Sequence, residues 1–413
     1  MTIASTFVPA QTDIAIVGAG PHALTLVTHL LQKRQQMHSR FLVFDPSGTW
    51  LHQWQQQFAA LEIPHLRSPA VHHPDPNPHA LRRFAESRPD ELFPPYDLPG
   101  TQLFQDFCFD VIRRWQLQER VIKAYVTRIE PLPHPLRSRF RVWLQDGQSI
   151  IARRVVLATG SGKLQLPDWV SQIQSEYPKD RLCHSQQVNL RGLQLAGERV
   201  LIVGGGLTSG HLAVGALARG AKVQLMVRRQ LQAKLFDADP GWLGPKYLKG
   251  FWAESDWEKR AQLIQQARNG GSLTPAMMSQ LRQHSRNGQL RFDENCQVVK
   301  AQWLDNCWRV KCSSGEEHKC DHLWLATGTR LDITDQPLLT EILESYSVLV
   351  VNGLPVLEDR LRLPSCELFL LGGLTALQVG PVARNLSGAR MASERIVPAL
   401  TKSSIALSPA RSA

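Results

Sequence analysis

Long apolar runs and a cysteine framework are both missing from this sequence of 413 residues. The most apolar stretch, residues 368–383, is too short to cross a membrane and is interrupted by Gly372, Gly373, Thr375 and Gln378. The N-terminus lacks the basic start and the apolar core of a signal peptide. The seven cysteines, an odd number without framework spacing, suit reduced thiols. These absences predict a cytoplasmic protein without a transmembrane segment.

Nucleic-acid motifs and zinc-ligand spacings are also missing, although the formal charge is +11. The lysines and arginines are scattered, which favours a basic enzyme that binds polyanionic cofactors over a nucleic-acid-binding protein. Cys307 and Cys312 have the spacing of a redox pair, but an odd separation in a strand pattern points them to opposite faces. We therefore predict no redox disulfide there and no nucleic-acid partner.

The stretch "IPHLRSPAVHHPDPNPHAL", residues 63–81, combines histidines with five prolines. His72, His73 and His79 do not have the spacing of a zinc signature, and no cysteine lies close by. Because each residue before a proline is biased away from helix, the stretch predicts a preordered loop. We predict that no metal binds here, with a histidine metal site as the less favoured alternative.

A first glycine turn follows a buried strand at residues 14–17. Gly18 permits the tight turn, Gly20 lets a pyrophosphate approach the backbone, and Ala23 lets the next helix pack on the strand. The following strand, Phe41–Asp45, ends in an acid that suits the ribose hydroxyls of an adenosine. This pattern predicts a dinucleotide-binding unit.

A second unit of the same kind occupies residues 199–229, with Gly204, Gly206 and Ser209 in the glycine turn. Arg228 and Arg229 stand at the end of its second strand, where an acid would read a ribose hydroxyl. A guanidinium binds a 2′-phosphate instead, so we predict NADP(H) rather than NAD(H), with Lys234 as a weaker helper. A solvated basic turn is the alternative.

Two apolar strands, in residues 153–162 and 321–330, both close in Ala-Thr-Gly. We interpret the first as the exit from one domain and the second as the return to it. The sequence therefore predicts an α/β protein with two Rossmann-like domains, the second inserted into the first. The predicted domains are residues 1–165 with 325–413, and residues 166–324, with disorder at residues 1–12 and from about residue 401.

Several further segments resemble the single-component flavin monooxygenases, in particular the N-hydroxylating branch with the lysine and ornithine N-monooxygenases. They are "FDPSGTWLHQW", "LEIPHLRSPAVHHPDP", "FPPYDLPGTQLFQDFCFDVIRRW", "LCHSQQV" and "VRRQLQAKLFDADPGWLGPKYLKGFW". The resemblance implies FAD in the first domain and NADPH in the second. It also implies a C4a-(hydro)peroxyflavin that oxygenates a nucleophilic nitrogen or sulfur of a small-molecule substrate, with O2 as co-substrate.

The resemblance implies the site residues as well. Arg67, His184 and Ser185 would act at the reaction centre, with a structural hydrogen bond as the equal alternative for His184. The proline-rich loop would fold against the flavin. A C-terminal helix beginning near Pro381 would point its N-terminus at the flavin. The implied cofactor contacts are Gly18, Gly20, Pro21, His22, Ala23, Asp45, Trp50, Trp54, Ser68, Thr159, Gly160, Gly204, Gly206, Leu207, Thr208, Ser209, Arg228, Arg229, Thr327, Gly328, Gly373, Leu377 and Gly380.

Four positions differ from the branch: Glu62 stands for a Gln, Arg67 for a Lys, Gly244 for an Asn and His211 for an acid. These differences leave the substrate open and keep two alternatives. One is an NADPH-dependent reductase that passes electrons to a quinone or a carrier without oxygenation. The other is a non-catalytic flavin-binding regulatory protein. The sequence is compatible with a homo-oligomer as well as with a monomer.

Overall fold

The computed structural model describes residues 9–132, 139–160, 162–268 and 270–402. The predicted disorder of residues 1–12 is wrong for Gln11 and Thr12, which belong to the first strand. Residues 1–8 and the tail at 403–413 lie outside the described residues. None of the described helices has the length and apolar character needed to span a bilayer.

The described residues form alternating helices and strands. The helices are α1 (Pro21–Lys33), α2 (His52–Ala60), α3 (Ala80–Phe84), α4 (Thr101–Arg114), α5 (Asp168–Ser171), α6 (Leu207–Ala218), α7 (Pro245–Ala253), α8 (Trp257–Arg268), α9 (Pro275–Arg286), α10 (Thr340–Ser345), α11 (Ala376–Val379) and α12 (Leu386–Leu400). The strands are β1 (Gln11–Val17), β2 (Phe41–Asp45), β3 (Leu92–Phe93), β4 (Leu98–Pro99), β5 (Val121–Lys123), β6 (Val126–Leu132), β7 (Arg139–Leu144), β8 (Ser149–Leu157), β9 (Lys163–Leu164), β10 (Leu182–His184), β11 (Arg199–Val203), β12 (Lys222–Val227), β13 (Leu290–Glu294), β14 (Val298–Leu304), β15 (Cys307–Cys312), β16 (Glu317–Cys320), β17 (His322–Leu325), β18 (Thr329–Arg330), β19 (Val350–Val351), β20 (Leu354–Pro355) and β21 (Leu368–Leu370).

The larger sheet has the order β5-β2-β1-β8-β7-β6, and β21 also pairs with β8. Its central strands β2, β1, β8 and β21 run parallel, whereas β6 and β7 are antiparallel. Residues 14–17 of β1 are buried, as a central parallel strand covered on both faces requires. Helix α1 packs against α12, so the end of the chain completes the layer that covers the first strand.

The second sheet is wholly parallel, with the order β10-β17-β11-β12-β13. It is built from chain that lies between β8 and β21 of the first sheet. The α/β class with two Rossmann-like units, the second inserted into the first, is therefore confirmed. An antiparallel sheet, β14-β15-β16, is added to the second unit. The thiols of Cys307 and Cys312, at the two ends of β15, are both free.

The chain leaves the first unit and returns to it through one antiparallel pair, β9 with β18. Gly162 lies in this crossing, and a Cβ atom there would be 1.8 Å from the carbonyl oxygen of Arg330. The two connections thus touch backbone to backbone, which only glycine allows at this position.

Candidate active site

A cavity of about 840 Å³ opens beside the carboxyl ends of β1 and β8. This edge of a parallel sheet is where doubly wound folds bind their ligands. The predicted site residues that line the cavity are Gly18, Gly20, Pro21, His22, Asp45, Trp54, Arg67, Ser68, Thr159, Gly160, Leu207 and Gly373.

The first glycine turn packs tightly on one side and is open on the other. Gly18 has a φ of +99°, and a Cβ atom there would lie 2.5 Å from the carbonyl oxygen of Ala158, in the first Ala-Thr-Gly segment. Beside Gly20, which caps α1, no atom lies within 4 Å of a Cβ position. The orphan N–H groups at the start of α1 therefore face open space, as a pyrophosphate requires.

Asp45 stabilises this turn through hydrogen bonds and keeps one lone pair free to accept another. Its Oδ2 accepts the N–H of Ala19 at 3.0 Å, and its Oδ1 accepts both the N–H and the hydroxyl of Ser47, at 3.0 and 2.6 Å. A carboxylate has about four lone-pair sites, so one remains on Oδ2. Because Asp45 also lines the cavity, that site can accept a ribose hydroxyl.

The second glycine turn repeats the packing of the first. Gly204 has a φ of +141°, and a Cβ atom there would lie 2.4 Å from the carbonyl oxygen of Ala326, in the second Ala-Thr-Gly segment. Gly206 caps α6. Ser209 is fully buried and its hydroxyl donates to the Gly206 carbonyl at 2.6 Å, so its side chain packs the turn. Only Leu207 of this turn lines the large cavity.

Arg67 lines the cavity, but its N–H groups donate hydrogen bonds to other residues of the protein. Its Nε donates to the carbonyl of Leu235 at 2.9 Å, and its Nη1 donates to Asp237 and to the carbonyl of Ser272, both at 3.2 Å. Its Nη2 donates to the carbonyl of Lys234 and to the hydroxyl of Ser272. A guanidinium has five N–H donors, and all five are used. Arg67 therefore joins the loop after α2 to the segment between β12 and α7, and has no N–H left for a substrate.

Asp237 also lines the cavity and pairs with Arg268 as well as Arg67. Burial acts to raise the pKa of Asp237, but Arg268 and Arg67 outweigh it and hold the pKa below its usual range. The carboxylate is thus ionised and fully matched by two guanidinium groups. Nothing in the sequence pattern marks Asp237 or Ser272, because their partner Arg67 lies about half the chain away.

His184 and Ser185 are not brought to the cavity. His184 is 2% exposed, and its Nε2 lies 3.1 Å from the carbonyl oxygen of Gly328. The Ser185 N–H donates to the carbonyl of Leu325 at 2.9 Å. Burial lowers the pKa of His184. Both residues therefore connect β10 to the second Ala-Thr-Gly segment rather than face a reacting group.

The side chains of several other residues expected to contact a cofactor are also buried in the protein or hydrogen-bonded to its backbone. Ala23 and Leu377 are fully buried, and the indole N–H of Trp50 donates to the carbonyl of Leu117 at 2.8 Å. Thr327 donates its hydroxyl to the carbonyl of Gln165. The other expected contacts that do not line the cavity are Thr208, Arg228, Arg229, Gly328 and Gly380, of which Arg228 lies exposed beyond β12.

The C-terminal helix begins at Leu386, not near Pro381 as expected. The chain first forms α11 and turns at Gly380, where φ is +101°. A Cβ atom at Gly388 would lie 2.1 Å from the carbonyl oxygen of Val382, so the preceding segment folds back onto α12 instead of extending it. The first turn of α12 still lines the cavity, together with Arg384, which sequence reasoning missed.

The histidines of the proline-rich loop serve packing. His73 is 2% exposed; its Nδ1 accepts the N–H of Asp75, and its Nε2 contacts the carbonyl of Pro78. Within the described ranges no group of three or more His, Cys, Asp or Glu residues could hold a metal ion. His72 contacts the hydroxyl of Ser68 at 3.1 Å, and both residues line the cavity.

We expect the free energy of unfolding to fall as the pH drops from about 6.5 toward 4, because burial lowers the pKa of His73 to about 4. In that window the unfolded chain binds a proton that the folded chain does not, which costs roughly 1.4 kcal/mol per pH unit. Urea denaturation at several pH values measures this slope. His73→Gln should reduce it, whereas His79→Gln, at an exposed position, should not; equal slopes in all three proteins would contradict the assignment.

Sequence profiles of two kinds match the chain. A profile of FAD-NAD(P)-binding proteins matches residues 15–162. A profile described as L-lysine 6-monooxygenase/L-ornithine 5-monooxygenase matches residues 104–331, more than half of the chain. The search of curated proteins returned no match.

Solved structures with the same fold cover nearly the whole chain. An ornithine hydroxylase from Pseudomonas aeruginosa is 17% identical, covering 94% of this chain and 98% of its own, with a TM-score of 0.74. An ornithine N-hydroxylase from Kutzneria sp. 744 is 19% identical, covering 94% of this chain and 99% of its own, with a TM-score of 0.75. L-lysine 6-monooxygenase from Pseudomonas syringae is 18% identical, covering 94% of this chain and 99% of its own, with a TM-score of 0.72.

Proposed function

The chain belongs to the L-lysine 6-monooxygenase/L-ornithine 5-monooxygenase family, and from that premise we propose that it uses FAD, NADPH and O2 to hydroxylate a nitrogen nucleophile of a small amine. The observation that carries the proposal is the single cavity that the first glycine turn, the loop with Arg67 and the segment with Asp237 line together. Family membership favours oxygenation over quinone reduction and over a non-catalytic role.

The residues at the first glycine turn fit FAD. The open space beside Gly20 suits the pyrophosphate, and the free lone pair of Asp45 suits the adenosine ribose. Arg384 lines the same cavity, and its guanidinium makes no hydrogen bond within the described part of the chain, so it can neutralise the cofactor's negative charge. When bound, the flavin accepts hydride from the nicotinamide and supplies the activated oxygen.

The charges around the cavity favour a neutral amine. The cavity is lined by the arginines Arg67, Arg82 and Arg384 and by the aspartates Asp45 and Asp237, and Arg268 also pairs with Asp237, so positive charge is in excess. An amine that enters this field has a lowered pKa, because nearby like charges disfavour its protonated form. The neutral amine keeps the lone pair that attacks the oxygen donor. The side chains of Tyr96, Phe236 and Leu243 line the same cavity and add apolar surface for the carbon chain of an amine.

The test is a product assay on the FAD-loaded protein. The flavin is reduced anaerobically with NADPH and mixed with O2 and one of three amines: ornithine, lysine or cadaverine. A hydroxylamine product formed in proportion to NADPH consumed supports the proposal and identifies the substrate. Complete conversion of O2 to hydrogen peroxide with every amine, together with fast electron transfer to a quinone, would favour the reductase alternative.

Arg228 and Arg229 are proposed to read the 2′-phosphate of NADPH. Arg228 is exposed just beyond β12, and the Arg229 guanidinium packs against Gly270, so both lie near the second glycine turn. A charge-assisted hydrogen bond contributes roughly 1.5–3 kcal/mol, so the Arg228→Ala and Arg229→Ala variants should each lose about 10- to 100-fold in kcat/KM for NADPH.

The rate of flavin reduction by each coenzyme checks this. NADH reduction should stay unchanged in both variants, because NADH has no 2′-phosphate. Lys222→Ala, which removes one exposed positive charge at the opposite end of β12, is the matched control and should leave both coenzymes unaffected. An equal loss with NADPH and NADH would instead indicate a structural role for the arginines.

A further inference from the structure

A second cleft, of about 480 Å³, lies apart from the cavity, and none of the described residues lines both. Its walls come from α7, α8, α11, α12 and the segment after β20. The proposed reaction uses none of these residues. Three arginines, two tryptophans and one glutamine dominate the lining.

The lining of the cleft carries more positive than negative charge. Within the described residues, Arg260, Arg360 and Arg395 form no ion pair with a carboxylate, and Asp359 is the one acid in the lining. Arg260 is 9% exposed and donates to three backbone carbonyls, those of Trp252, Glu254 and Leu377. Burial lowers the pKa of Arg260 and of Arg395. The positive charge of Arg260 also lowers the pKa of Arg395, and an anion in the cleft would offset the repulsion between these guanidinium groups.

Two of the three arginines stack on aromatic rings. The Arg260 guanidinium lies 4.3 Å from the ring centroid of Trp257, and the Arg395 guanidinium lies 5.1 Å from that of Trp252. The Trp252 indole N–H donates to the backbone carbonyl of Gln378 at 2.9 Å. Stacking on Trp252 restricts the Arg395 side chain, so less side-chain entropy is lost when its N–H groups bind a ligand. Arg360 is exposed at the edge of the cleft, where its Nη1 donates to the backbone carbonyl of Arg395 at 3.5 Å.

Gln378, which also lines the cleft, has a side-chain oxygen without a hydrogen-bond donor among the described residues. The residue is 4% exposed, and its Nε2 donates to the carbonyl of Leu357 at 3.1 Å. Its Oε1 is buried and accepts no hydrogen bond from the described residues. A buried acceptor of this kind needs a donor, which the three arginines do not supply.

We propose that this cleft binds a small oxyanion that carries an O–H group, with Arg360 and Arg395 holding the oxyanion and Gln378 accepting the O–H. Hydrogen phosphate and α-hydroxy carboxylates share this chemistry. The chain connects this site to the cavity. Gly372 and Gly373, which line the cavity, begin the 3-10 turn Gly372–Thr375 that leads into α11. Arg260 and Trp252 donate to the Leu377 and Gln378 carbonyls of α11.

Isothermal titration calorimetry on the full chain, saturated with FAD and NADP+ to fill the other anion sites, tests the proposal. The probes are inorganic phosphate, glycolate and acetate. We expect phosphate, glycolate or both to bind, with acetate, which has the charge but no O–H at neutral pH, at least tenfold weaker. Binding of phosphate alone identifies phosphates as the ligand class, and binding of glycolate alone identifies hydroxy acids.

Variants locate the binding. Arg395→Gln and Arg360→Gln should each weaken it at least tenfold, and Gln378→Met should remove the preference for glycolate over acetate. Arg291→Gln, at an exposed arginine in the second sheet, is the control and should bind as the wild type does. FAD content verifies that each variant is folded. Absence of heat with all three probes, unchanged binding in both arginine variants, or equal affinity for glycolate and acetate would overturn the proposal.

Discussion

Replacing Gly18 by alanine is expected to give a protein that retains its fold but purifies without FAD. The added Cβ atom would lie 2.5 Å from the carbonyl oxygen of Ala158, and the residue would have to keep a φ of +99°. Alanine disfavours positive φ by roughly 1–2 kcal/mol, and backbone cannot yield as a side chain does. The turn must therefore move, and with it the N–H groups that face the pyrophosphate.

Replacing Gly204 by alanine should have the complementary effect. Its Cβ atom would lie 2.4 Å from the carbonyl oxygen of Ala326, so the second glycine turn is displaced while the first is untouched. This variant should carry FAD fully, yet NADPH should reduce the flavin at least a hundredfold more slowly than in the wild type. The pair thus separates the two dinucleotide sites within one chain.

Absorbance of the bound flavin and the rate of its anaerobic reduction measure both effects. Gly147→Ala is the matched control, because Gly147 has a φ of +85° but no atom within 4 Å of its Cβ position. It should lose some stability from strain and keep both FAD and the reduction rate. Full FAD occupancy in Gly18→Ala, or a wild-type reduction rate in Gly204→Ala, would show that the turns do not have these roles.

The sequence predicted these turns well because their signals are local. Gly18 and Gly204 each follow a buried strand directly, and the strand Phe41–Asp45 has the predicted bounds. The tight contacts of Gly18 with Ala158 and of Gly204 with Ala326 also explain why each glycine turn comes with its own Ala-Thr-Gly segment. Each motif is the surface against which the other packs.

The rest of the site depends on contacts that no local pattern records. The segment from Pro381 has the composition of a helix start, yet it folds back because Gly388 lets its backbone approach α12. Arg67 was expected to face the reaction, and what decides its role is Asp237 and Ser272, far along the chain. Sequence alone indicates that an arginine lies near the site, but not whether its donors are already used.

Arg67→Lys should slow hydride transfer from NADPH to the flavin by about a hundredfold while leaving FAD content unchanged. Lysine has three donors on a flexible stem and cannot serve the five acceptors that the planar guanidinium joins. The segment with Leu235 and Asp237 would then no longer be fixed to the loop after α2, and a displacement of about 1 Å at reacting groups costs about this factor.

Stopped-flow reduction at saturating NADPH separates this positioning role from a loss of stability. The reduction rate should fall even in protein that retains its full FAD content, whereas the apparent NADPH affinity should change little, because Arg67 does not lie among the proposed 2′-phosphate contacts. Arg219→Lys is the control, since Arg219 also makes a two-pronged pair, with the exposed carboxylate of Glu62, and lines neither the cavity nor the cleft. It should reduce at the wild-type rate. A reduction rate for Arg67→Lys within twofold of the wild type would mean that the nicotinamide is positioned by other residues.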